Sequence, residues 1–251
     1  MNPVLETILR NGKAISPSGE EFSVTGASIS SEEGHFLRRI VCDIGAATTL
    51  EVGLAYGISA LFICDGLAET GDERHIVIDP WQKEAYHDIG LTNLRAAGYG
   101  SLVEFHGAPS YQALPLLQAD GCRVEFAFVD GCHTFDFALV DFFYIDRMLP
   151  VGGVVAFDDA DWPGIRRLCE YVVTNRAYSV FRYLDNPQPA QSQTPQKKQF
   201  KPGAACRRLG SLLGVRQPAA GIVPGLPASS RCIALRKEAE DSRRWDFHRD
   251  F

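Results

Sequence analysis

The chain has no apolar run approaching the ~20 residues that a bilayer-spanning helix requires, so no membrane partner is expected. Its start, Met1-Asn-Pro-Val-Leu-Glu-Thr7, lacks a basic stretch followed by an apolar core, and no secretory signal is read there. Paired cysteines are missing too. The seven cysteines, at 42, 64, 122, 132, 169, 206 and 232, are scattered, odd in number and never spaced Cys-x-x-Cys. They read as reduced thiols, several on apolar faces, in a cytoplasmic protein. Nor is there a surplus of basic residues. A net charge of −6 and a pI near 5.5 leave no electrostatic footprint for nucleic acid.

What is present is the balance of an ordinary globular protein: 45% hydrophobic and 22% charged residues over 251 positions. That length suits one large α/β domain with decorations. The stretch around which the rest is arranged is Thr49-Leu-Glu-Val-Gly-Leu-Ala-Tyr-Gly-Ile-Ser59. Thr49 to Val52 read as a short buried strand, Gly53 and Gly57 bracket a turn, and a helix follows from Ile58. Strand, glycine turn and helix present backbone N–H groups and a helix N-terminus to a ligand. The spacing is Glu-x-Gly-x-x-x-Gly, with Ala55 where a dinucleotide fingerprint has its second glycine. The pattern therefore suits a cofactor without pyrophosphate better than a nicotinamide dinucleotide. By itself it fits any strand-to-helix turn equally well.

Around this turn the pattern alternates. A short amphipathic helix over 2–11 is followed by a polar, Gly- and Ser-rich loop over 12–30, with Ser30 or Ser31 placed to cap a helix over 32–44. Apolar strands are read at 48–53, 75–79, 102–106, 124–130 and 153–157, with helices at 58–69, within 83–97, and at 109–118, 135–148 and 163–174. Strands alternating with helices give βαβ units and a parallel sheet, and ligands bind beyond the carboxyl ends of its strands. Asp79, Asp130 and Asp158 stand just past three of those ends. A strand over 179–184, a long insertion over 185–229 and a closing strand over 231–236 complete the domain. The insertion carries the basic cluster Gln196-Lys-Lys-Gln-Phe-Lys-Pro202, which reads as a solvated loop or as a contact for an acidic partner. The chain thus divides into an N-terminal helical cap (1–47), the main domain (48–236) and a charged, then aromatic, tail (237–251).

Asp130, Asp158 and Asp159 come from the ends of two strands that are expected to be neighbours. Carboxylates gathered at one mouth repel each other unless a cation or proton sits among them. A hard divalent ion is the expected occupant. The alternative for Asp158 and Asp159 is a helix cap or turn before Trp162-Pro163.

Phe128-Val-Asp-Gly-Cys-His-Thr-Phe135 and Met148-Leu-Pro-Val-Gly-Gly-Val-Val-Ala-Phe-Asp-Asp-Ala-Asp-Trp-Pro-Gly164 resemble the later half of the cation-dependent O-methyltransferases. The nearest likeness is to small-molecule enzymes of the catechol-O-methyltransferase type, within the class I methyltransferases that use S-adenosylmethionine. Leu50-Glu-Val-Gly53 with Gly57-Ile-Ser59, and His106-Gly-Ala-Pro-Ser110, match that family's earlier motifs, so the likeness runs from about Gly34 to Tyr171. The resemblance implies a Rossmann-like, doubly wound α/β fold with a mostly parallel seven-stranded sheet, N-terminal helices and a late loop insertion. It implies S-adenosylmethionine as cofactor, a divalent cation of the Mg²⁺ type, a small hydroxylated substrate and a possible homo-oligomer. Carried over by position, Glu51, Gly53, Tyr56, Gly57 and Ser59 lie at the methionine end of the cofactor, although the contacting aromatic of the family is displaced here to Tyr56. Asp79 would accept from the ribose, Trp81 cover its edge, and Ala108 and Ser110 flank the adenine. Asp130, Asp158 and Asp159 are the implied metal ligands, with Asp130 also near the methionine amine. His133 stands where the catechol enzymes place a lysine base; a neutral-range imidazole suits that role, and a helix-entry histidine bonded to backbone is its alternative. Two other readings of the chain stay open: a nicotinamide-dependent oxidoreductase on a similar sheet, and a methyltransferase-like module without catalysis.

Overall fold

A strand covered on both faces is apolar at every position rather than at alternate ones, and Phe126-Ala-Phe-Val129 and Val154-Val-Ala-Phe157 are such runs. In the computed structural model they lie side by side in the middle of a sheet. The structure describes residues 1–67, 73–185, 226–227, 229–247 and 249–251. Most of the 185–229 insertion lies outside these.

The N-terminal helix α1 (Pro3–Asn11) is capped by the Asn2 side chain, which accepts from the Val4 N–H, and ends at Gly12 in the left-handed region. The following segment, read from the sequence as loop, contains a small antiparallel hairpin of β1 (Lys13–Ile15) and β2 (Glu21–Ser23). Three-residue strands are too short to show an alternating pattern, which is why the sequence does not reveal them. Helix α2 (Ser31–Ile44) starts at Ser30, whose hydroxyl accepts from the Glu33 N–H.

Then the alternation appears as expected: β3 (Thr48–Val52), α3 (Ile58–Leu67), β4 (Arg74–Ile78), α4 (Ile89–Ala96), β5 (Val103–His106), α5 (Ser110–Ala119), β6 (Phe126–Val129), α6 (Phe135–Met148), β7 (Val154–Phe157), α7 (Pro163–Asn175), β8 (Tyr178–Asp185) and β9 (Ser230–Lys237). The sheet order is β5-β4-β3-β6-β7-β9-β8, with the first five strands parallel and β9 antiparallel to both its neighbours. This is the α/β architecture, with a mostly parallel seven-stranded sheet, expected from the alternation. α4 starts late because His87 and Asp88 both take positive φ, at 53° and 56°, and break any earlier helix.

Two apolar cores sandwich the sheet. One packs Leu37, Ile40, Leu61 and Leu94 of α2, α3 and α4 on one face. The other packs Leu114, Phe142, Ile145 and Leu168 of α5, α6 and α7 on the opposite face. α2 and α3 come close because Gly34 faces the Phe62 ring; a Cβ at Gly34 would lie 2.1 Å from it.

Candidate active site

From β3 the chain winds outward to β4 and β5, then returns to the other side of β3 as β6. The reversal leaves a crevice beyond the carboxyl ends of β3 and β6, where such sheets bind ligands. Gly53 and Asp130 close its floor. Gly53 adopts φ 93°, and a Cβ there would sit 2.1 Å from the Asp130 carbonyl oxygen. Only glycine meets both demands. A cleft of about 530 Å³ opens above, walled by Leu54, Asp79, Trp81, Tyr86, Ser110 and Asp130, among others.

The glycine turn is braced from β4. Asp79 Oδ2 accepts from the Leu54 and Ala55 N–H groups at 3.0 Å and from Gln82 Nε2 at 2.9 Å, while Oδ1 accepts from the Trp81 N–H at 2.7 Å. Gln82 Nε2 also donates to the Ala55 carbonyl at 2.7 Å, and Asn93 Nδ2 to the Tyr56 carbonyl at 3.0 Å. These bonds hold Ala55 at φ 46°, a conformation alanine rarely takes. Each carboxylate oxygen has two lone pairs, so Oδ1 of Asp79 keeps one for a ligand while Oδ2 serves the turn.

Below the turn, one face of β3 carries Thr49 and Glu51 instead of apolar residues. Thr49 Oγ1 pairs with His75 Nδ1 at 2.8 Å, and His75 Nε2 with Glu51 Oε2 at 3.3 Å, all three fully buried. Among the described residues, Glu51 Oε1 has no hydrogen-bond partner.

The acidic residues gather on the other side of the crevice. β6 and β7 are parallel neighbours, with Val129 in register with Phe157, so Asp130 and Asp158 emerge side by side. Desolvation, then the charges of Asp158, Glu51 and Glu33, push the Asp130 carboxyl well above its ordinary range. A quarter of its side chain (24%) still reaches solvent, so the crowding of charge is the firmer of the two causes. Asp159 is raised as well, by desolvation and then by Asp158. Its φ is 47°, and its N–H donates to Asp158 Oδ1 at 2.7 Å. His133 Nε2 stands 3.8 Å from Asp130 Oδ1 and 3.7 Å from Asp159 Oδ2, with its ring 5.3 Å from that of Trp162. Glu33 of α2 is fully buried with Arg231 Nε 3.2 Å from its Oε2, and burial, then Asp158, push its carboxyl up to about 9.

The expected residues separate into three groups. Gly53, Asp79, Trp81, Ser110 and Asp130 line the cleft. His133 Nε2 stands within 3.8 Å of Asp130 and Asp159, and Asp158 follows β7 in register beside Asp130; of these four only Asp130 lines the cleft. Glu51, Tyr56 and Ser59 are buried: Tyr56 packs edge-on against Tyr86 with centroids 5.3 Å apart, and it is Tyr86 that faces the cleft. Gly57 serves close packing, since a Cβ there would meet the Gly90 carbonyl at 3.0 Å. Ala108 lies in the half-buried turn before α5. Sequence reasoning missed Gln82, Tyr86, His75 and Glu33. For Glu33 there was a signal: Ser30-x-x-Glu33 is capping-box spacing.

Among the described residues, no three His, Cys, Asp or Glu side chains converge closely enough to grip an ion as they stand. The donors are nonetheless hard oxygens crowded together. A Mg²⁺-type ion takes only one or two carboxylates and fills its remaining positions with water and substrate oxygen. In chemistry, the set fits such an ion.

The model of a methyltransferase domain family matches residues 50–160. A caffeoyl-CoA O-methyltransferase of Populus kitakamiensis is 32% identical over 152 residues, 57% of this chain and 59% of the relative. Caffeoyl-CoA O-methyltransferase 2 of Zea mays is 31% identical over 144 residues, 54% and 50% of the two chains. The chain thus spans between half and three-fifths of the length of these curated relatives. Among solved structures, the O-methyltransferase TomG of Streptomyces achromogenes, in complex with SAM, superposes with a TM-score of 0.60 at 21% identity, over 74% of this chain and 84% of that one.

Proposed function

We propose, for a chain whose residues 50–160 form a methyltransferase domain on the fold of the S-adenosylmethionine-dependent O-methyltransferases, that it transfers the methyl group of S-adenosylmethionine to a hydroxyl oxygen of a small molecule. One observation carries this reading. The ligand-ready glycine turn at Gly53 and Asp130 line one cleft, and His133 Nε2 stands within 3.8 Å of both Asp130 and Asp159.

The residues divide the work. The Leu54–Ala55 turn, held by Asp79 and Gln82, cradles the cofactor, and the remaining lone pair of Asp79 accepts from a ribose hydroxyl. Tyr86, in the wall of the cleft, supplies an aromatic ring for the sulfonium. Asp130, Asp158 and Asp159 would hold a divalent cation, which lowers the pKa of a substrate hydroxyl and orients its oxygen. His133 takes the hydroxyl proton. The oxygen then forms its bond to the methyl carbon as the carbon–sulfur bond breaks, and S-adenosylhomocysteine leaves. Holding the two reactants in one crevice supplies much of the rate. The names of the relatives support an acceptor of the phenolic type.

The test is methyl transfer to catechol and caffeoyl-CoA from labelled S-adenosylmethionine, before and after dialysis against EDTA. Transfer should be abolished by EDTA and restored by Mg²⁺ or Mn²⁺. Full activity in EDTA would make the transfer independent of a cation; binding of NADH in place of S-adenosylhomocysteine would overturn the methyltransferase reading itself.

A further inference from the structure

A strand covered on both faces is apolar throughout when packing alone decides its residues, and β3 is not. Leu50 and Val52 point into the core against α5, α6 and α7. Thr49 and Glu51 alternate with them and take the opposite face. The strand neighbours of Glu51 there are apolar: Val77 and Phe128, in register with it, belong to the core on that side. His75 stands beside Thr49, also in register. The three polar side chains are fully buried. Burial of such groups gives up hydration unless each is hydrogen-bonded.

The bonds among them have a direction. Thr49 Oγ1 lies 2.8 Å from His75 Nδ1, and His75 Nε2 lies 3.3 Å from Glu51 Oε2. A carboxylate only accepts, so Nε2 is the ring's donor and Nδ1 accepts from the Thr49 hydroxyl. The network starts at Thr49 and ends further along β3 at Glu51, toward the crevice. Val52 and Gly53, next in sequence, line the cleft. Among the described residues, every side-chain polar atom of the three has a partner except Glu51 Oε1, which belongs to the group nearest the glycine turn. A buried network left half-satisfied is worse than an apolar core. What completes this one is a cationic donor reaching Oε1.

We propose that His75 is a positioning residue for the cofactor: with Thr49 behind it, it holds the Glu51 carboxylate so that Oε1 is left for the ammonium of the methionine end. This rests on S-adenosylmethionine as the cofactor, as argued above. The His75 ring is fully buried, so it acts through Glu51 and meets no ligand itself. A carboxylate already fixed in one rotamer loses little further freedom when its ligand arrives, and preorganisation of this kind raises affinity.

The experiment compares two ligands by calorimetry. S-adenosylhomocysteine carries the ammonium; 5′-methylthioadenosine keeps the adenosine and the sulfur but lacks the amino-acid part. His75→Leu should weaken S-adenosylhomocysteine about tenfold and 5′-methylthioadenosine less than about twofold. His75→Gln can return an N–H donor to Glu51 and should bind S-adenosylhomocysteine within about threefold of wild type. Thr49→Val removes only the hydroxyl behind the ring. It should weaken S-adenosylhomocysteine by about two- to fivefold, again sparing 5′-methylthioadenosine, and it decides the matter if His75→Leu does not fold. Equal losses for the two ligands would make the network purely structural and overturn the proposal. So would wild-type affinity for S-adenosylhomocysteine in His75→Leu or Thr49→Val, or a loss in His75→Gln as large as in His75→Leu. Wild-type protein that binds S-adenosylhomocysteine no better than 5′-methylthioadenosine would remove this inference and leave the cofactor reading; binding of neither would remove both.

Discussion

At the scale of single residues, buried carboxyls are the informative feature of this molecule. Asp141 of α6 is 1% exposed, and among the described residues its Oδ1 has no hydrogen-bond partner. Burial pushes its carboxyl up to about 6, against a smaller lowering by the Ser110 hydroxyl. A carboxyl whose folded pKa lies above its unfolded value binds its proton more tightly in the native state. Its contribution to stability is therefore complete below about pH 4 and is lost as pH rises to about 6. Asp141→Asn should match wild type below that window and exceed it above, by up to roughly 3 kcal/mol at neutral pH. Urea unfolding at pH 4, 5, 6 and 7.5 checks this; a less stable variant at pH 7.5 would contradict it. His133 makes a different case. Its Nε2 stands between two carboxylates, 3.8 Å from Asp130 and 3.7 Å from Asp159. His133→Ala should lower kcat by about 10²–10⁴-fold while leaving S-adenosylhomocysteine affinity in place. A variant with wild-type kcat would return the proton transfer to water or to a carboxylate.

At the scale of elements, close approach between helices is set by the smallest residues. Gly34 lets α2 lie on α3 against Phe62, the ring a Cβ would strike at 2.1 Å. Gly34→Ala should cost about 1–3 kcal/mol through overpacking, and Phe62→Leu in the same chain should recover part of it. Two independent, additive losses in chemical denaturation would show that the helices separate rather than clash. The elements were largely legible in the sequence, because buried parallel strands are continuous apolar runs and helices repeat at 3.6 residues. β6 and β7 are where those runs place them. The β1–β2 hairpin was not legible, nor was the delayed start of α4, which depends on positive φ at His87 and Asp88. Backbone dihedrals of that kind leave no periodic trace.

At the scale of the whole molecule, ligand binding and folding share one free energy, because the crevice exists only when β3, β4 and β6 are assembled. S-adenosylhomocysteine at about 100 times its Kd should add ~2.7 kcal/mol to stability. For a domain of this size that is a rise in Tm of roughly 5–10 °C. NADH at equal concentration should produce none. A thermal shift with NADH alone would transfer the cleft to a dinucleotide. The described helices include none long and apolar enough to cross a membrane.

The sequence alone determined the strand–turn–helix order, the glycine demanded at position 53, and the acids that follow β6 and β7. Each depends on neighbours within a few residues, so local sequence carries it. Only the tertiary structure decided the rest. It put Asp79 under the glycine turn, 25 positions away in sequence from Leu54. It exchanged Tyr56 for Tyr86 at the cleft. It turned Glu33 away from its own helix cap, inward to Arg231 of β9. Those contacts join residues from different elements. Which side chain meets which depends on how the helices dock on the twisted sheet, and no periodicity along the chain encodes that.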